Sequence, residues 1–427
     1  MNTAPSADLW LDRMPRDWKR SRIRNVAALS PNYSQTRPAP DELCTVVPME
    51  LLSNDGAIDV SNQQPIEDIS TGLPLFERGD VIFAKITPCM ENGKGAFVRH
   101  LPTRYAFGST EFHVLRAGNK VDGQFLYYAT FNPVYRAYAA ENMVGAAGQK
   151  RVSSRFLKDT RLFLPPLPEQ QRIAAYLDAS CAALDAAVAA KRRQLETLDA
   201  LKRSAIFHAV TKGLSESDQL KASGIDWLGA IPSHWTIRRI KDIAELRSGD
   251  AIQSEDIAPE GDYPVYGGNG LRGYTSSFTH NGQFALIGRQ GALCGNINYA
   301  NGAFWATEHA VVATLLKRYD TLWFGELLRA MNLGQYSNAA AQPGLAVDRI
   351  KFLRLPVPPP EDSTRIAAHV GTIIRQNESI VTGIEAQIAT LTAYRKSLIH
   401  ECVTGQRRIS EADAGQKKGN VQNVPTL

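Results

Sequence analysis

Cysteine is scarce in this chain, and its histidines follow no metal-binding pattern. The five cysteines stand singly, at positions 44, 89, 181, 294 and 402. They form neither the paired spacing of a zinc site nor the framework of a disulfide-stapled domain. The eight histidines contain no H-E-x-x-H sequence. These absences argue against a bound metal and favour the reducing cytoplasm, which is the expected location.

Long hydrophobic runs and a strong charge of either sign are also missing. No segment comes near 18 consecutive apolar residues, and the N-terminus contains Asp8 and Asp12 instead of an apolar core. We therefore expect neither a transmembrane span nor a signal peptide. The net charge of +5 over 427 residues is mild, so any nucleic-acid surface has to be a local face.

What the chain does contain is one long stretch present twice. The first copy covers residues 164–213 and the second covers 357–406. RIAA at 172–175 returns at 365–368, TL at 197–198 returns at 390–391, and SAIFHAVT at 204–211 matches SLIHECVT at 397–404. All these matches are 193 residues apart. A constant offset over such a span indicates duplication.

Each copy predicts a long helix, because a proline cluster precedes an Ala- and Leu-rich run. Helices of roughly 40 residues would extend about 60 Å. In the second copy, steps of four and three residues give the heptad spacing of a coiled-coil seam, at 366, 370, 373, 377, 380, 384, 387, 391, 394 and 398. The polar members Asn377 and Gln387 are of the kind that fixes register. The first copy has a looser seam, at 173, 177, 184, 188, 195 and 198. We predict that the two helices pair as an antiparallel rod; the alternative is that each packs on its own domain.

A second repeat opens each half. Trp18, Ile23 and Leu29 match residues 235, 240 and 246 at an offset of 217, so the first middle segment is 24 residues longer than the second. The predicted fold class is α+β, with two mixed recognition domains joined by two long antiparallel helices in a pseudo-twofold repeat. The predicted boundaries are 1–163 and 226–356 for the domains, 164–213 and 357–406 for the helices, 214–225 for a linker and 407–427 for a disordered tail.

The two middle segments differ in sequence but follow one plan of strand, polar loop, strand, helix and returning loop. Their loops hold side chains suited to base edges and phosphates, because Arg and Lys donate to guanine and Asn and Gln pair with adenine. The alternative for each residue is a solvated loop side chain. The candidates are Lys85, Asn92, Lys94, Gln149, Lys150 and Arg151 in the first half, and Asn269, Arg272, Arg289, Gln290, Asn296 and Gln342 in the second.

Several patterns resemble catalytic motifs without their context. Residues 268–273 spell G-x-G-x-x-G but lack the preceding apolar strand and the following helix of a dinucleotide site. Residues 132–135 resemble an adenine methyltransferase box that has lost its second proline. Glu111 and Glu308 occupy equivalent places but have no partner for acid–base work, and His113 and His309 are interpreted as structural. We therefore predict no catalytic, cofactor or metal site.

Taken together, these segments resemble the specificity (S) subunits of Type I restriction-modification enzymes. The similarity lies in WLGAIPSHW at 227–235 and its looser copy at 10–18, in 79–95 and 108–115, in YPVYGGNG at 263–270, and in LPPLPEQQRI at 164–173. It covers nearly the whole chain except the tail. The second helix entry departs at Asp362, Ser363 and Thr364, where the family usually has a Glu-Gln pair, and we expect weaker capping there.

The resemblance implies a non-catalytic subunit. Each globular domain would read one half of a split, asymmetric DNA target. The helices would space the domains and dock two methyltransferase (modification) subunits, and the full complex would add restriction subunits. The methyl donor and ATP would belong to those partners. Two other functions stay open from the sequence: a self-contained DNA methyltransferase or nuclease with an unrecognised site, and a coiled-coil adaptor that does not touch DNA.

Overall fold

The computed structural model describes residues 15–33, 37–146, 148–215, 217–291, 293–337 and 344–415. The chain divides into two compact units. Unit 1 combines Met1–Ala190 with Gln387–Leu427, and unit 2 is Lys191–Ala386. Each unit therefore contains one predicted recognition domain and parts of both long helices.

Unit 1 contains two four-stranded sheets and one two-stranded ribbon. Its strands are β1 (Lys19–Arg22), β2 (Ala27–Leu29), β3 (Leu43–Val47), β4 (Gln63–Pro65), β5 (Leu75–Phe76), β6 (Val81–Ala84), β7 (Gly95–Phe97), β8 (Ala106–Gly108), β9 (Phe112–Ala117) and β10 (Arg161–Leu164). One sheet has the antiparallel order β2-β9-β6-β7, and the other has the order β4-β3-β8-β5 with β3 and β8 parallel. Strands β1 and β10 form the ribbon.

Unit 2 joins the equivalent strands into a single six-stranded sheet. Its strands are β11 (Leu220–Ala222), β12 (Ala230–Pro232), β13 (Thr236–Arg239), β14 (Ala244–Ser248), β15 (Tyr263–Gly267), β16 (Gly270–Thr275), β17 (His280–Gly288), β18 (Ile297–Ala306), β19 (Ala310–Leu315) and β20 (Arg354–Val357). The sheet order is β14-β19-β17-β18-β15-β16. Strand β18 pairs with β17 along its length and with β15 at its end. In unit 1 the equivalent pairings are made by two separate strands, β7 with β6 and β8 with β3.

The helices are α1 (Gly123–Phe131), α2 (Pro133–Glu141), α3 (Ser154–Asp159), α4 (Leu167–Lys212), α5 (Thr321–Ala330), α6 (Val347–Ile350), α7 (Pro360–Val403) and α8 (Glu411–Gly415). Helices α1 and α5 begin in the same way. The Asp122 carboxylate accepts backbone N–H bonds from Gln124 and Phe125, and Asp320 does the same for the first turn of α5. An N-terminal aspartate satisfies donors that the helix itself leaves free.

The entries to the two long helices carry matched anchors. On α4, the side-chain oxygen of Gln170 accepts the backbone N–H of Asp122 at 2.9 Å. Ser363 stands 193 residues later on α7, and its hydroxyl accepts the backbone N–H of Asp320 at 3.3 Å. The sequence departs from the family pattern at Ser363, which stands where α4 has Gln170. The shorter serine side chain nevertheless accepts a hydrogen bond from the backbone N–H of the equivalent aspartate, Asp320.

The long helices pair antiparallel within each unit. In unit 1 the Arg395 guanidinium lies 3.0 Å from the Asp185 carboxylate, and Leu398 and Cys402 share a buried core with Ile173 and Leu177. In unit 2 the core joins Ile206, Ala209 and Val210 of α4 to Ile366, Ala367 and Val370 of α7. The predicted register residue, Asn377, donates to the Leu198 carbonyl at 3.3 Å.

The predicted heptad seam on α7 is confirmed at one of its two positions and wrong at the other. Residues 370, 377, 384, 391 and 398 are buried or half-buried along the whole helix. The other position begins buried at Ile366, but Ile380 is 48% exposed, Tyr394 is 45% exposed, and Gln387 is exposed as well. An α-helix with 3.6 residues per turn drifts about 20° per heptad from a 3.5-residue repeat, so one heptad position leaves the contact face along so long a helix.

Two segments predicted to lack structure contain ordered elements. The predicted linker at 214–225 includes strand β11, which pairs with β12, and the Lys221 ammonium donates to the Trp235 carbonyl at 2.5 Å. The predicted disordered tail begins with residues that pack on unit 1. Ile409 is buried in its core, and Arg408 lies 2.9 Å from Asp17 and 3.1 Å from Glu169. The remainder of the tail, 416–427, lies outside the described residues.

Helix α4 is the one helix in the described part of the chain that is long and apolar enough to cross a membrane. Its apolar residues Ile173 and Leu177 are buried in unit 1, and Val210 is buried in unit 2. Of its most apolar window of 18 residues, 28% is buried within the structure.

Candidate nucleic-acid interface

Both units bring three chain segments together at the same edge of the same sheet. In unit 1, the backbone N–H of Lys85, just after β6, donates to the Glu111 carbonyl at 2.8 Å, and the Val152 N–H donates to the Lys85 carbonyl at 2.9 Å. In unit 2, Arg289 donates to the His309 carbonyl and accepts from Leu345, both at 2.9 Å. Main-chain bonds therefore hold the loops in equivalent places while their side chains differ.

This register corrects one predicted equivalence. Glu111 corresponds to His309 and not to Glu308, because β9 begins at Phe112 and β19 begins at Ala310 in matching positions opposite β6 and β17. The equivalence predicted from the sequence of the two middle segments is therefore one residue out of register at this point.

The loop cluster of unit 1 is built on an ion pair between Arg151 and Glu111. The guanidinium donates to both carboxylate oxygens, at 2.7 to 3.1 Å. These bonds hold the pKa of Glu111 below its usual value. The neighbouring Thr87 N–H and hydroxyl both donate to the Lys150 carbonyl at 3.0 Å. Gln149 and Lys150 are left exposed at the tip, where an arginine–carboxylate fork gives the loop a defined shape.

The other two candidates of unit 1 lie in the turn between β6 and β7. Asn92 is exposed. The Lys94 ammonium donates to the Met49 carbonyl at 2.8 Å, so this side chain ties the turn to a neighbouring segment. Of the six candidates in unit 1, Lys94 and Arg151 thus have protein partners, and the tips present Asn92, Gln149 and Lys150.

Unit 2 gathers four of its candidates around one glycine turn. Asn269 lies in the turn between β15 and β16, and Arg289 and Gln290 follow β17. A side chain at Gly268 would come within 3.4 Å of the Gln290 carbonyl, so the turn and this loop are in contact. The Asn296 carbonyl accepts the N–H of Gly288 at 2.8 Å. Arg272 is exposed on β16. Gln342 lies outside the described residues.

Three side chains beside this turn were not among the sequence candidates. The Asn298 amide nitrogen, one Glu308 carboxylate oxygen and the His309 Nδ1 are buried and have no hydrogen-bond partner among the described residues. Asn298 lies against Gly270, and the His309 carbonyl lies against Gly268. Unpartnered buried polar atoms are rare, and an amide, a carboxylate and an imidazole are groups that pair with base edges. The sequence signals for them are the alternating Asn-Ile-Asn at 296–298 and the three consecutive polar residues at 307–309.

His113 is structural in the structure, as the sequence indicated. Its Nε2 lies 2.8 Å from the Val152 carbonyl, and its ring packs beside Phe83. Burial lowers the pKa of His113 to about 4, so the imidazole is neutral at ordinary pH. Its hydrogen bond to the Val152 carbonyl therefore helps to hold the returning loop against β9.

The patterns that resembled catalytic motifs form other structures. Residues 268–273 belong to the β15–β16 hairpin and open no helix. Asn132 caps α2 through its side-chain oxygen, which accepts the N–H of Val134 at 3.0 Å, and Pro133 occupies the first turn. Over the described residues, no group of three or more His, Cys, Asp or Glu side chains is arranged to hold a metal ion. At both sheet edges the loops present an exposed polar surface, which includes Asn92, Lys150, Asn269 and Gln290.

Comparison with known proteins gives this surface a context. The family model of the Type I restriction modification DNA specificity domain matches residues 15–197 and 232–390. The Type I restriction enzyme EcoprrI specificity subunit of Escherichia coli is 44% identical over 135 residues, which are 31% of this chain and 34% of that protein. The EcoAI specificity subunit of Escherichia coli is 31% identical over 164 residues, 38% of this chain and 27% of that protein. The matched segments thus span about a third or less of these relatives.

Two solved structures share the fold. One, from work on complex assembly and conformational transition of the type I R-M system, has a TM-score of 0.75 at 18% identity and covers 92% of this chain and 100% of that chain. The HsdS subunit from Thermoanaerobacter tengcongensis has a TM-score of 0.55 at 18% identity, over 92% and 98%. The predicted α+β class with duplicated recognition domains and two long helices is confirmed. The chain belongs to the Type I restriction modification DNA specificity domain family.

Proposed function

We propose that this chain is the sequence-reading subunit of a Type I restriction-modification complex. Unit 1 reads one half of a bipartite, asymmetric DNA target, and unit 2 reads the other half. Support comes from the two loop clusters, which are attached by equivalent main-chain bonds but present different side chains. Two recognition domains with the same loop attachment but different loop side chains fit a target whose two halves differ in sequence.

The readout follows from the residues at the tips. In unit 1, the exposed Asn92, Gln149 and Lys150 suit adenine and guanine edges, and in unit 2 the exposed Asn269 and Gln290 do so. Arg289 is half-buried, and its guanidinium donates to the Ser248 hydroxyl at 3.2 Å, which leaves further N–H groups for a base. Glu308 is able to accept the amino group of cytosine. The Arg151–Glu111 pair holds its loop in shape, so its loss would disturb readout through the neighbouring tip residues.

The remaining parts of the proposal concern partners. The subunit is non-catalytic, and it acts in the cytoplasm with two methyltransferase subunits docked on the long helices and with restriction subunits in the full complex. Methyl donor and ATP are bound by those partners. The chain matches only part of the length of its curated relatives, and these assignments are carried over from the family.

The first prediction is modularity. Residues 41–152 are exchanged for the corresponding segment of a relative with a different target, so that Glu111 and Arg151 travel together. We expect one half-site to change and the other half-site and the gap to remain, because unit 2 keeps its own loops. Genome-wide mapping of methylated adenines, in cells with the partner subunits, reads the target before and after the exchange.

A change in both half-sites would contradict independent reading. The reciprocal exchange in unit 2, over residues 249–345, is the matched control and should alter the other half-site. Binding titrations across a salt series separate the rival functions, since phosphate contacts give a steep salt slope. A coiled-coil adaptor would show no DNA binding, and a self-contained methyltransferase or nuclease would bind methyl donor or cut DNA when purified alone.

A further inference from the structure

A two-stranded ribbon with facing arginines occurs in each unit, separate from the loop clusters. In the β1–β10 ribbon Arg22 stands directly opposite Arg161, and in the β13–β20 ribbon Arg239 stands directly opposite Arg354. All four side chains are exposed. Like charges directly across an antiparallel pair destabilise a sheet, so the facing arginines do not serve the stability of the ribbon.

The two ribbons share their charges position by position. The repeat offsets of 217 and 193 pair Arg22 with Arg239, Arg24 with Lys241, Lys158 with Lys351, and Arg161 with Arg354. The loops that differ between the units lie elsewhere, at residues 85–94, 149–151, 268–272 and 289–296. The positive charge is therefore common to both halves, whereas the candidate base contacts are not.

The residue that lies among these basic side chains is different in the two units. In unit 1 it is Asp159, whose carboxylate pairs with Arg22 at 3.3 Å and with Arg24. In unit 2 the equivalent position is Phe352, whose ring is 47% exposed. Three cations surround it, with Lys241 at 4.7 Å, Lys351 at 5.5 Å and Arg239 at 5.8 Å from the ring centre.

The ribbons also keep cations that no carboxylate neutralises. Lys351 pairs with Asp348, and the Asp242 carboxylate accepts the backbone N–H of Arg239. Arg161 and Arg354 have no ion pair with any residue that the structure describes. Each ribbon thus presents uncompensated positive charge on an exposed surface.

We infer that the two ribbons are phosphate-contacting surfaces that hold the DNA backbone beside each half-site, independent of its sequence. This inference rests on the proposed function. The phosphate backbone is the same at both half-sites although the bases differ, which matches a charge pattern common to both units. Arginine is common in both kinds of interface, but lysine, which each ribbon also carries, is depleted from protein–protein interfaces, and DNA interfaces are much more positive. Phe352 is the one large exposed apolar side chain among the ribbon residues named here, so the composition favours DNA over a protein partner.

The test neutralises one facing pair at a time, in the chain assembled with its methyltransferase subunits. The variants are R239Q/R354Q and R22Q/R161Q. A duplex carrying the mapped target and a shuffled duplex of the same length are each titrated over a salt series. We expect each variant to bind both duplexes more weakly, on the order of tenfold, with a salt slope smaller by about two and an unchanged methylation target.

A variant that is expected to bind DNA more tightly separates the proposed role from misfolding, because a misfolded protein would bind more weakly. D159N removes the carboxylate that occupies Arg22 and Arg24, so it should strengthen binding to both duplexes and steepen the salt slope. The charge-matched control is R78Q/K120Q, because Arg78 and Lys120 are exposed in turns at the sheet edge opposite the Lys85 loop. That control should leave affinity and slope close to those of the native chain.

The outcomes are distinct. Ribbon variants that behave like the control, while the native complex binds its target selectively, would overturn the phosphate-contact role and leave the proposed function intact. Loss of methyltransferase subunits from the ribbon variants, measured by mass before DNA is added, would reassign the ribbons to a protein interface. A native complex that does not prefer the target duplex would instead overturn the proposed function.

Discussion

At the scale of single residues, the loops combine exposed polar side chains with side chains that are held by partners far away in the sequence. The exposure of Asn92, Lys150, Asn269 and Gln290 at loop tips follows from their polar, glycine-containing surroundings. The partner of Arg151 lies 40 residues away, and that of Lys94 lies 45 residues away. A contact at that separation depends on strand register, and a local sequence pattern contains no information about register. The unpartnered atoms of Glu308 and His309 were missed for the same reason.

The buried imidazole of His113 predicts a pH dependence of stability. Its folded pKa of about 4 lies below the ordinary value of 6.5, so the unfolded chain binds the proton more readily. The stabilising contribution is complete above about pH 6.5 and is lost as pH falls towards 4. Between pH 7 and pH 5 we expect a loss of about 2 kcal/mol in the free energy of unfolding from this group.

Urea titrations of the native chain and of H113Q at both pH values measure this contribution. H113Q keeps an amide donor for the Val152 carbonyl but does not titrate, so its stability should change less between the two pH values. Equal pH dependence in the two proteins would show that His113 is accessible to protons in the folded state. The difference between the proteins cancels the carboxylates that titrate in both.

At the scale of elements, the sequence predicts the two long helices and one of the two heptad positions on α7. The proline clusters and the constant offset of 193 residues defined α4 and α7, which the structure gives as Leu167–Lys212 and Pro360–Val403. The exposed Ile380 and Tyr394 show that the other heptad position leaves the contact face along this long helix. The sequence does not predict that β18 is one continuous strand. Its equivalent in unit 1 is divided into β7 and β8, and this difference depends on which strands pair with each segment.

The matched aspartate caps give an element-scale prediction. D122A removes the acceptor for two N–H groups of α1, and D320A does so for α5. Each substitution should lower the free energy of unfolding of its own unit by about 1 kcal/mol, the usual value of an N-terminal cap. Denaturant titrations measure the loss. D122N and D320N retain a side-chain oxygen and should lose much less; an equal loss in the asparagine variants would point to charge in place of hydrogen bonding.

At the scale of the whole chain, the duplication organised nearly everything that the sequence predicted. Two units, two helices and matched openings with buried Trp18 and Trp235 all follow from two offsets. The sequence alone does not predict the ribbons, although the same offsets align their arginines. Each charge taken alone is an ordinary surface residue, and only the strand pairing shows that they face one another.

The helices that pass from one unit to the other lead to a prediction about target geometry. Four residues are inserted into α4 after Ala190 and into α7 after Ala386, where the chain changes units. Four residues add about 6 Å of helix and little more than one full turn, so the faces stay nearly in phase. If the helices set the spacing, the gap should lengthen by roughly two base pairs at about 3.4 Å each.

Methylation mapping reads the gap directly. An insertion into α4 alone is the matched control, and it should disrupt the helix pairing and reduce methylation without giving a new defined gap. An unchanged gap after the double insertion would reject the helices as the spacing element.

The main-chain attachment of the loops has one further consequence. Lys85 and Arg289 are held through N–H and carbonyl groups that every residue except proline possesses. These main-chain bonds are therefore independent of the side chain at those positions, although the Arg289 guanidinium also donates to the Ser248 hydroxyl at 3.2 Å. Under the proposed function, new targets would be reached by replacing a few exposed tip side chains, within the range of bases with which those side chains can pair.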